Sequence, residues 1–556
     1  MEHSRAKTLV GAIVERPLPI HRVRVAAATG GRGAPLQCRQ CDEPECVFAC
    51  KSGALTRDAE TGVVRCDEER CVGCWMCVMV CPMASLRCSA GGTALKCDLC
   101  AERGDPACVS ACPTDALRWE DVEGPPRPEA PGASRGLTHV IIGASAAGVA
   151  AVEAIREADP DARVTVISEE PDPLYSRPMM YLDLLRGRED IRFRPGEFMK
   201  EPGVEAMLGR RAESVDPKKR EVKLADGETV RFDRLLVATG GFVRWPKIPG
   251  IDKEGVLGFR TLADLRRLAD LASEAKAAVV LGGGNVGLQA ACGLREKGLD
   301  VSIVVKSPHL LSQLADGEAG RMFEERFSAA GVAVCTGTDV VEILGDSKAE
   351  GVRLDTGETL PCEIVIAAKG VDANLEVVRG TGIDVQWGIR VNDRMESSAG
   401  GIYAAGDVAQ AADLITGEED THGIWPVAFE QGRIAGLNMV GLDRPYVGGM
   451  RMNAAEFYGL ELISLGTVRS GEHHRILVHK AGNDVYRKLV FDGVVLVGAL
   501  LVGEIHDAGV LRLLMTKKVD VTGEEERLLR GADWEWLYPI LEREEWFDRL
   551  QCGLGS

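Results

Sequence analysis

From Thr138 the chain passes through an apolar stretch, HVII, then a turn of small residues, GASAAG, then VAAVEAIREA, whose apolar positions recur every three to four residues. That order predicts a buried strand, a tight turn and a helix, and VTVIS after it reads as a second strand. The same order returns about 140 residues later as AAVVL, GGGNVG, LQAACGLREKG and VSIVV. After Pro445 the texture changes to strand-like runs such as VYRKLVFDGVVLVGALLVG, followed by a helical, acidic, Trp-rich tail. Residues 494–502 are the most apolar run, but they are far shorter than the roughly 18 residues of a membrane helix and predict a buried strand. Upstream, EDVEGPPRPEAPGASRG is rich in Pro, Gly and Ser and reads as a linker. Everything before it is dominated by cysteine.

These changes of texture predict a multi-domain chain. An α+β cysteine-rich module covers 1–124 and the linker covers 125–136. Two Rossmann-like α/β nucleotide domains follow, the first split into 137–255 and 372–447 around a second at 256–371. A small α+β C-terminal domain covers 448–556. The linker predicts modules that fold independently.

Composition narrows the function. The 556 residues are 45% hydrophobic and 27% charged, ordinary globular values that exclude bulk disorder. A net charge of −18 lacks the footprint of a nucleic-acid binder and is repelled by anionic lipid. With no signal-like apolar stretch near the N-terminus, a cytoplasmic protein without membrane insertion is expected.

Of 18 cysteines, 14 lie between Cys38 and Cys112, a clustering that points to metal ligation in a reducing compartment rather than to disulfides. They fall into three groups of four: Cys38, Cys41, Cys46 and Cys50; Cys71, Cys74, Cys77 and Cys81, the last followed by Pro82; and Cys97, Cys100, Cys108 and Cys112, followed by Pro113. The second group matches the bacterial C-x2-C-x2-C-x3-C-P run for [4Fe–4S] clusters. Zinc competes for any lone C-x2-C pair, but structural zinc rarely takes four ligands within eleven residues.

Residues 35–120, above all CVGCWMCVMVCPMASL and KCDLCAERGDPACVSACPTDAL, resemble the polyferredoxin electron-transfer subunits of molybdenum, tungsten and carbon monoxide dehydrogenase systems, which implies an α+β ferredoxin-like iron–sulfur module over 1–124. That family commonly has four such groups, and here the first is missing, because residues 1–37 hold no cysteine. The family's exchange of ligands between groups implies one cluster on Cys38, Cys41, Cys46 and Cys81. It implies a second on Cys71, Cys74, Cys77 and Cys50. Cys97, Cys100, Cys108 and Cys112, without an exchange partner, are inferred to close on a third. Cys66 and Cys88 are left over and read as buried small residues.

In the first nucleotide unit Gly143, Ser145 and Gly148 form the small-residue turn, and Glu169 follows the next strand. Small residues let the backbone approach a pyrophosphate at a helix N-terminus, and the acid binds ribose hydroxyls. With LLVATGG, GIYAAGDVA, PLYSRPMMYLDLL and WPVAFEQGRIAGLNMVG, residues 137–520 resemble the pyridine nucleotide–disulfide reductase superfamily, in the branch of rubredoxin reductase and the flavin part of NADH-dependent nitrite reductase. The resemblance implies FAD held by Asp407, with Arg177, Thr239, Gly240 and Trp425 as further contacts. Where relatives often carry a lysine after the Arg-Pro segment, Leu182 stands here, so the polar surroundings of the flavin N5 are open.

Gly282, Gly284 and Gly287 open the second unit, assigned to NAD(P)H. An acidic residue after its second strand would favour NAD; Val305 and Lys306 stand there instead, and NADH and NADPH are both open.

A redox dithiol or single active cysteine beside the flavin would fall near Tyr175–Tyr181, where YSRPMMY holds no thiol. Cys292, Cys335 and Cys362 read as core residues. No cysteine pair for a siroheme domain follows the flavoprotein. The remaining outlet for electrons is the iron–sulfur module. The expected function is electron transfer between NAD(P)H, FAD and three [4Fe–4S] clusters, within an oligomer or complex. The resemblance of the module implies a redox partner such as an aldehyde:ferredoxin oxidoreductase, a carbon monoxide dehydrogenase or a ferredoxin. The alternatives are a flavin reductase of a small acceptor and a structural subunit.

Overall fold

The computed structural model describes residues 24–28, 32–36, 38–89, 91–101, 103–113, 136–182, 190–469 and 471–532. The linker predicted at 125–136, apart from Gly136, and the Trp-rich tail beyond residue 532 lie outside these residues.

In the cysteine-rich module two short helices, α1 (Glu45–Phe48) and α2 (Met76–Val80), pack with antiparallel ribbons pairing Leu55–Arg57 with Val64–Cys66 and Arg87–Cys88 with Ala94–Leu95. Elements this short cannot bury much surface by themselves, and the module relies on its neighbours.

The first nucleotide unit runs β1 (Thr138–Ile142), α3 (Ala146–Ala158), β2 (Arg163–Ser168), β3 (Val204–Leu208) and β4 (Arg234–Val237). The second runs β5 (Val256–Leu257), β6 (Ala277–Leu281), α4 (Asn285–Glu296), β7 (Asp300–Val305), β8 (Ala333–Thr336) and β9 (Ile364–Ala367). The chain then returns to the first sheet with β10 (Ile402–Ala404) and α5 (Trp425–Met439). Both sheets are fully parallel, ordered β10-β4-β1-β2-β3 and β5-β9-β6-β7-β8. Their strands are almost continuously apolar because both faces are covered, with helices packed on the sheet and a three-stranded antiparallel sheet sharing its core, 212–231 in the first unit and 340–361 in the second. Helices α3 and α5 approach closely: a side chain at Gly432 or Gly436 would press on the α3 backbone at Ala147 or Ala151.

The C-terminal unit is an antiparallel sheet of β11 (Met452–Phe457), β12 (Leu460–Gly466), β13 (Arg475–Ala481), β14 (Val485–Asp492) and β15 (Val495–Val502), in the order β11-β12-β15-β14-β13. The run expected as a buried strand is β15, with Leu496 and residues 498–502 buried. Helix α6 (Ala508–Thr516) follows. Among the described residues, no helix is long and apolar enough to cross a membrane.

The expectation of independently folding modules is corrected by the packing. Val47, Val78, Met79 and Leu86 of the cysteine-rich module share one core with Leu465, Leu501, Leu511 and Leu514 of the C-terminal unit and with Val427 of α5. Gly509 of α6 lies so close to Cys81 that a side chain there would overlap its carbonyl. The rings of Phe48 and Phe429 stack at 5.4 Å, and the Arg433 guanidinium lies 4.6 Å from the Phe48 ring centre. Arg70 donates to the carbonyls of Ser52 (3.1 Å) and Arg192 (2.6 Å), tying the module to the first nucleotide unit.

Candidate functional site

A cavity of about 850 Å³ opens between the nucleotide units. At its first end β1 runs into Gly143, whose φ of +120° and contact with the Ala238 carbonyl leave no space for a side chain. Gly148 lies over the Gly143 carbonyl, so α3 starts close to the strand. Ser145 is the N-cap of α3 and makes no side-chain capping bond. The first amides of the helix therefore face the cavity, a favourable place for a phosphate. Glu169, just beyond β2, is exposed on the same wall.

Further along, the Thr239 hydroxyl donates to the Asn374 carbonyl at 2.8 Å, and the Asn374 amide donates to the Gly240 carbonyl at 2.8 Å. Asp407 is paired with Arg260 at 2.8 Å. Arg177 pairs with Glu170 and also donates to the Tyr175 hydroxyl (2.5 Å) and the Arg260 carbonyl (2.8 Å). Trp425, the first residue of α5, is 7% exposed, and its indole Nε1 has no partner.

The second unit repeats the turn. Gly282 (φ +126°) abuts the Ala368 carbonyl, Gly287 lies over the Gly282 carbonyl, and Gly284 caps α4 with open space at its Cα. These glycines stand behind the wall, while Asn285, Val286 and Gln289 of α4 line it. Phe242, Trp245 and Val286 line the cavity and yet are 46–47% exposed, which places its mouth between the two units. Lys306, directly after β7, is exposed and does not line the cavity.

The residues fit a dinucleotide. The volume suits a large cofactor. The orphaned Trp425 Nε1 and Asn285 Oδ1 are buried polar atoms of the wall that a ligand would satisfy.

The cysteines gather beside this cavity. Cys50, Cys71, Cys74 and Cys77 line one small cage, together with Trp75 and Cys66. Burial, then the neighbouring Cys74 and Cys50, pushes the Cys77 thiol well above its ordinary value. Cys46 is likewise raised, first by burial and then by Cys81, with Cys38 and Cys41 also acting on it. Cys97 is raised by burial, with Cys38 among its neighbours, and the Cys100 sulfur accepts from the Ala107 amide at 3.5 Å. Cys108 is carried on the one-turn helix Ala107–Ser110 and Cys112 follows it. A metal would bind these crowded thiols as thiolates and displace their protons.

The leftover cysteines differ from expectation. Cys66 and Cys88 are half-buried rather than buried, and Cys66 faces the cage, its thiol held up by a hydrogen bond to Cys71. That bond, more than any other contact, draws Cys71 down to about 6. Of the expected core cysteines, Cys292 and Cys362 are buried and Cys335 is half-buried.

Residues 137–432, more than half of the chain, match the profile of the pyridine nucleotide-disulphide oxidoreductases. The chain belongs to that family. Residues 32–122 match a 4Fe-4S dicluster domain, and residues 452–519 match the rubredoxin NAD+ reductase C-terminal domain. The NADH-dependent phenylglyoxylate dehydrogenase subunit epsilon of Aromatoleum evansii is 33% identical over 401 residues, 70% of this chain and 94% of that one. The nitrite reductase [NAD(P)H] of Bacillus subtilis is 30% identical over 69% of this chain, which spans only 48% of that protein. Among solved structures, a ferredoxin reductase of Rhodopseudomonas palustris superposes with a TM-score of 0.66 at 26% identity, covering 73% of this chain and 99% of its own. The chain is thus an FAD- and NAD(P)H-dependent electron-transfer oxidoreductase carrying an iron–sulfur dicluster domain.

Sequence reasoning missed Arg260, Asn374, Lys51 and Met76 on the cavity wall. Arg260 and Asn374 lie in no glycine motif. Lys51 and Met76 come from the cysteine-rich module and were hidden between ligand candidates.

Proposed function

We propose that this protein moves electrons between NAD(P)H and a separate redox protein, through FAD and then through [4Fe–4S] clusters. One observation carries the reading. Cys50 lines the cage and Lys51, the next residue, lines the nucleotide cavity; Cys77 lines the cage and Met76, the residue before it, lines the cavity. Successive Cα atoms are about 3.8 Å apart, so the two sites share a wall one residue thick. FAD, when bound, supplies the chemistry that joins a two-electron hydride donor to one-electron clusters.

The chain's own residues would bind and orient. Gly143, Ser145 and Gly148 would receive the pyrophosphate at the α3 N-terminus, Glu169 the adenosine ribose, and Asp407, Thr239 and Gly240 the middle of FAD. Arg177 and Trp425 would border its ring system. Gly282, Gly284 and Gly287 would shape the NAD(P)H turn, entered past Phe242 and Trp245. Lys306 would accept a 2′-phosphate if NADPH is the donor.

For the clusters we assign Cys50, Cys71, Cys74 and Cys77 to the one nearest the flavin. Cys38, Cys41, Cys46 and Cys81 would hold a second, and Cys97, Cys100, Cys108 and Cys112 a third. Iron analysis of anoxically prepared protein is expected to give about 12 Fe per chain, four per cluster. A value near 8 would remove the third cluster, and one near 16 would make Cys66 and Cys88 ligands.

Similarity to a dehydrogenase subunit over 94% of that subunit's length supports a role as the NAD(P)H-facing subunit of a larger complex. Similarity to a ferredoxin reductase supports a ferredoxin as the alternative partner. Aldehyde:ferredoxin oxidoreductase and carbon monoxide dehydrogenase remain candidate catalytic partners by resemblance of the module. Anoxic titration with NADH and with NADPH tests the reading. Flavin and cluster absorbance should both bleach. Bleaching of the flavin alone would favour a reductase of small acceptors, and bleaching of neither a structural subunit.

A further inference from the structure

Among the described residues, five cations line the nucleotide cavity: Lys51, Arg177, Arg211, Arg260 and Arg266. Each arginine faces a carboxylate: Arg177 pairs with Glu170, Arg260 with Asp407 (2.8 Å), Arg266 with Asp172 (2.8 Å) and Arg211 with Glu376 (3.8 Å). Lys51 has no hydrogen-bond or ion-pair partner among the described residues, although it is only 3% exposed. The module's other buried lysine shows what a settled site looks like. Lys96, 4% exposed, donates to the carbonyls of Val64 and Cys97, each at 2.8 Å, and to the Gln40 amide oxygen at 3.2 Å. The Lys51 stem is buried and its ammonium opens on the cavity, so Lys51 offers its charge to a partner that no described residue provides.

Its place names that partner. Lys51 lines the nucleotide cavity and not the cage, although its charge reaches Cys74, whose thiol is raised by burial and partly lowered by Lys51. Gly53, at φ +65°, lets this segment sit against the Phe193 carbonyl, and the Phe193 ring meets Trp425 edge-on at 4.8 Å. Leu182, by contrast, is 2% exposed within an apolar cluster with Tyr175, Met179 and Met180 and lies off the cavity wall. Among the described residues, the first nucleotide unit therefore lines the cavity with no unpaired cation of its own.

We propose that Lys51 of the iron–sulfur module is the cation that faces the flavin, so that the two modules complete one redox site between them. This rests on FAD occupying the cavity. Reduction places negative charge on a flavin, and an ammonium on the cavity wall beside it stabilises the reduced form more than the oxidised one.

The test uses the full-length holoprotein, with FAD and iron contents measured first. Wild type lacking FAD would defeat the cofactor reading itself, independently of Lys51. In Lys51→Met the reduction equilibrium of the flavin is expected to weaken tenfold or more, which for a two-electron couple is a fall of about 30 mV in midpoint potential. Lys51→Arg should restore it. Flavin absorbance and the reduced-cluster EPR signal are followed separately in one titration. An unchanged flavin potential in Lys51→Met overturns the proposal. So does a fall confined to the cluster, which would place the charge on the cage side. If Lys51→Met does not retain its cofactors, Lys51→Gln, neutral and of similar length, is read by the same criteria. A merely structural role predicts no difference in flavin potential between the neutral variants and wild type.

Discussion

Val305 ends β7 where an acid would hold ribose hydroxyls, and Lys306 follows it in the open. A 2′-phosphate paired with Lys306 would form a charge-assisted bond worth about 1.5–3 kcal/mol, whereas a screened surface lysine contributes about 0–1 kcal/mol. Lys306→Glu is expected to lower kcat/KM for NADPH about tenfold, at 1.4 kcal/mol per decade, and to leave NADH nearly unchanged. Equal small changes with both cofactors would remove the phosphate role. At Gly148 the expectation is steric. A Val side chain would collide with the Gly143 carbonyl and displace the turn that receives the pyrophosphate. Gly148→Val should therefore lose FAD while keeping its iron, because the cluster module is held mainly by α6 and by Val427 of α5. Loss of iron in the same variant would show that the disturbance passes through α3 and α5. Residues of this kind were legible from the sequence because a glycine turn is local. Lys51 and Arg260 were not, since pattern alone does not tell a buried cation from a solvated one.

At the scale of elements, the seam between α6 and the cysteine-rich module carries the most specific expectation. A side chain at Gly509 would overlap the carbonyls of Cys81 and Val78. Gly509→Val should destabilise the chain by about 1–3 kcal/mol, the usual cost of overpacking, and should release iron by displacing Cys81. Thermal unfolding followed together with iron content checks this, and an unchanged iron content at wild-type Tm would contradict it. The parallel strands and the helices after each glycine turn were legible because their periodicity is written in adjacent residues. The seam was not. A proline-rich linker signals separation along the chain, and nothing in it records that Val78 and Leu511 meet in one core. The three cysteine groups were legible as groups, and the crossing of Cys50 and Cys81 between them came from family resemblance. The position of Cys66 on the cage was missed because its spacing matches no ligand motif.

Across the whole molecule, the proposed nicotinamide entrance, flavin cavity and cysteine cage lie in series, with Cys50–Lys51 and Met76–Cys77 as the shared wall. A partner must then approach the cysteine-rich face and not the Phe242–Trp245 mouth, which the nicotinamide needs. The net charge of −18 makes steering strong, so reduction of a basic partner should slow as salt rises and that of an acidic partner should quicken. Stopped-flow rates across an ionic-strength series would show which partner class is met. Electrons are expected to pass from flavin to cluster inside one chain. Rapid-freeze EPR after anoxic mixing with limiting NAD(P)H tests it most directly, by following the reduced-cluster signal at several protein concentrations. Transfer across the shared wall predicts a rate independent of protein concentration; a rate that rises in proportion to it, or a cluster that stays oxidised while the flavin is reduced, would contradict the account.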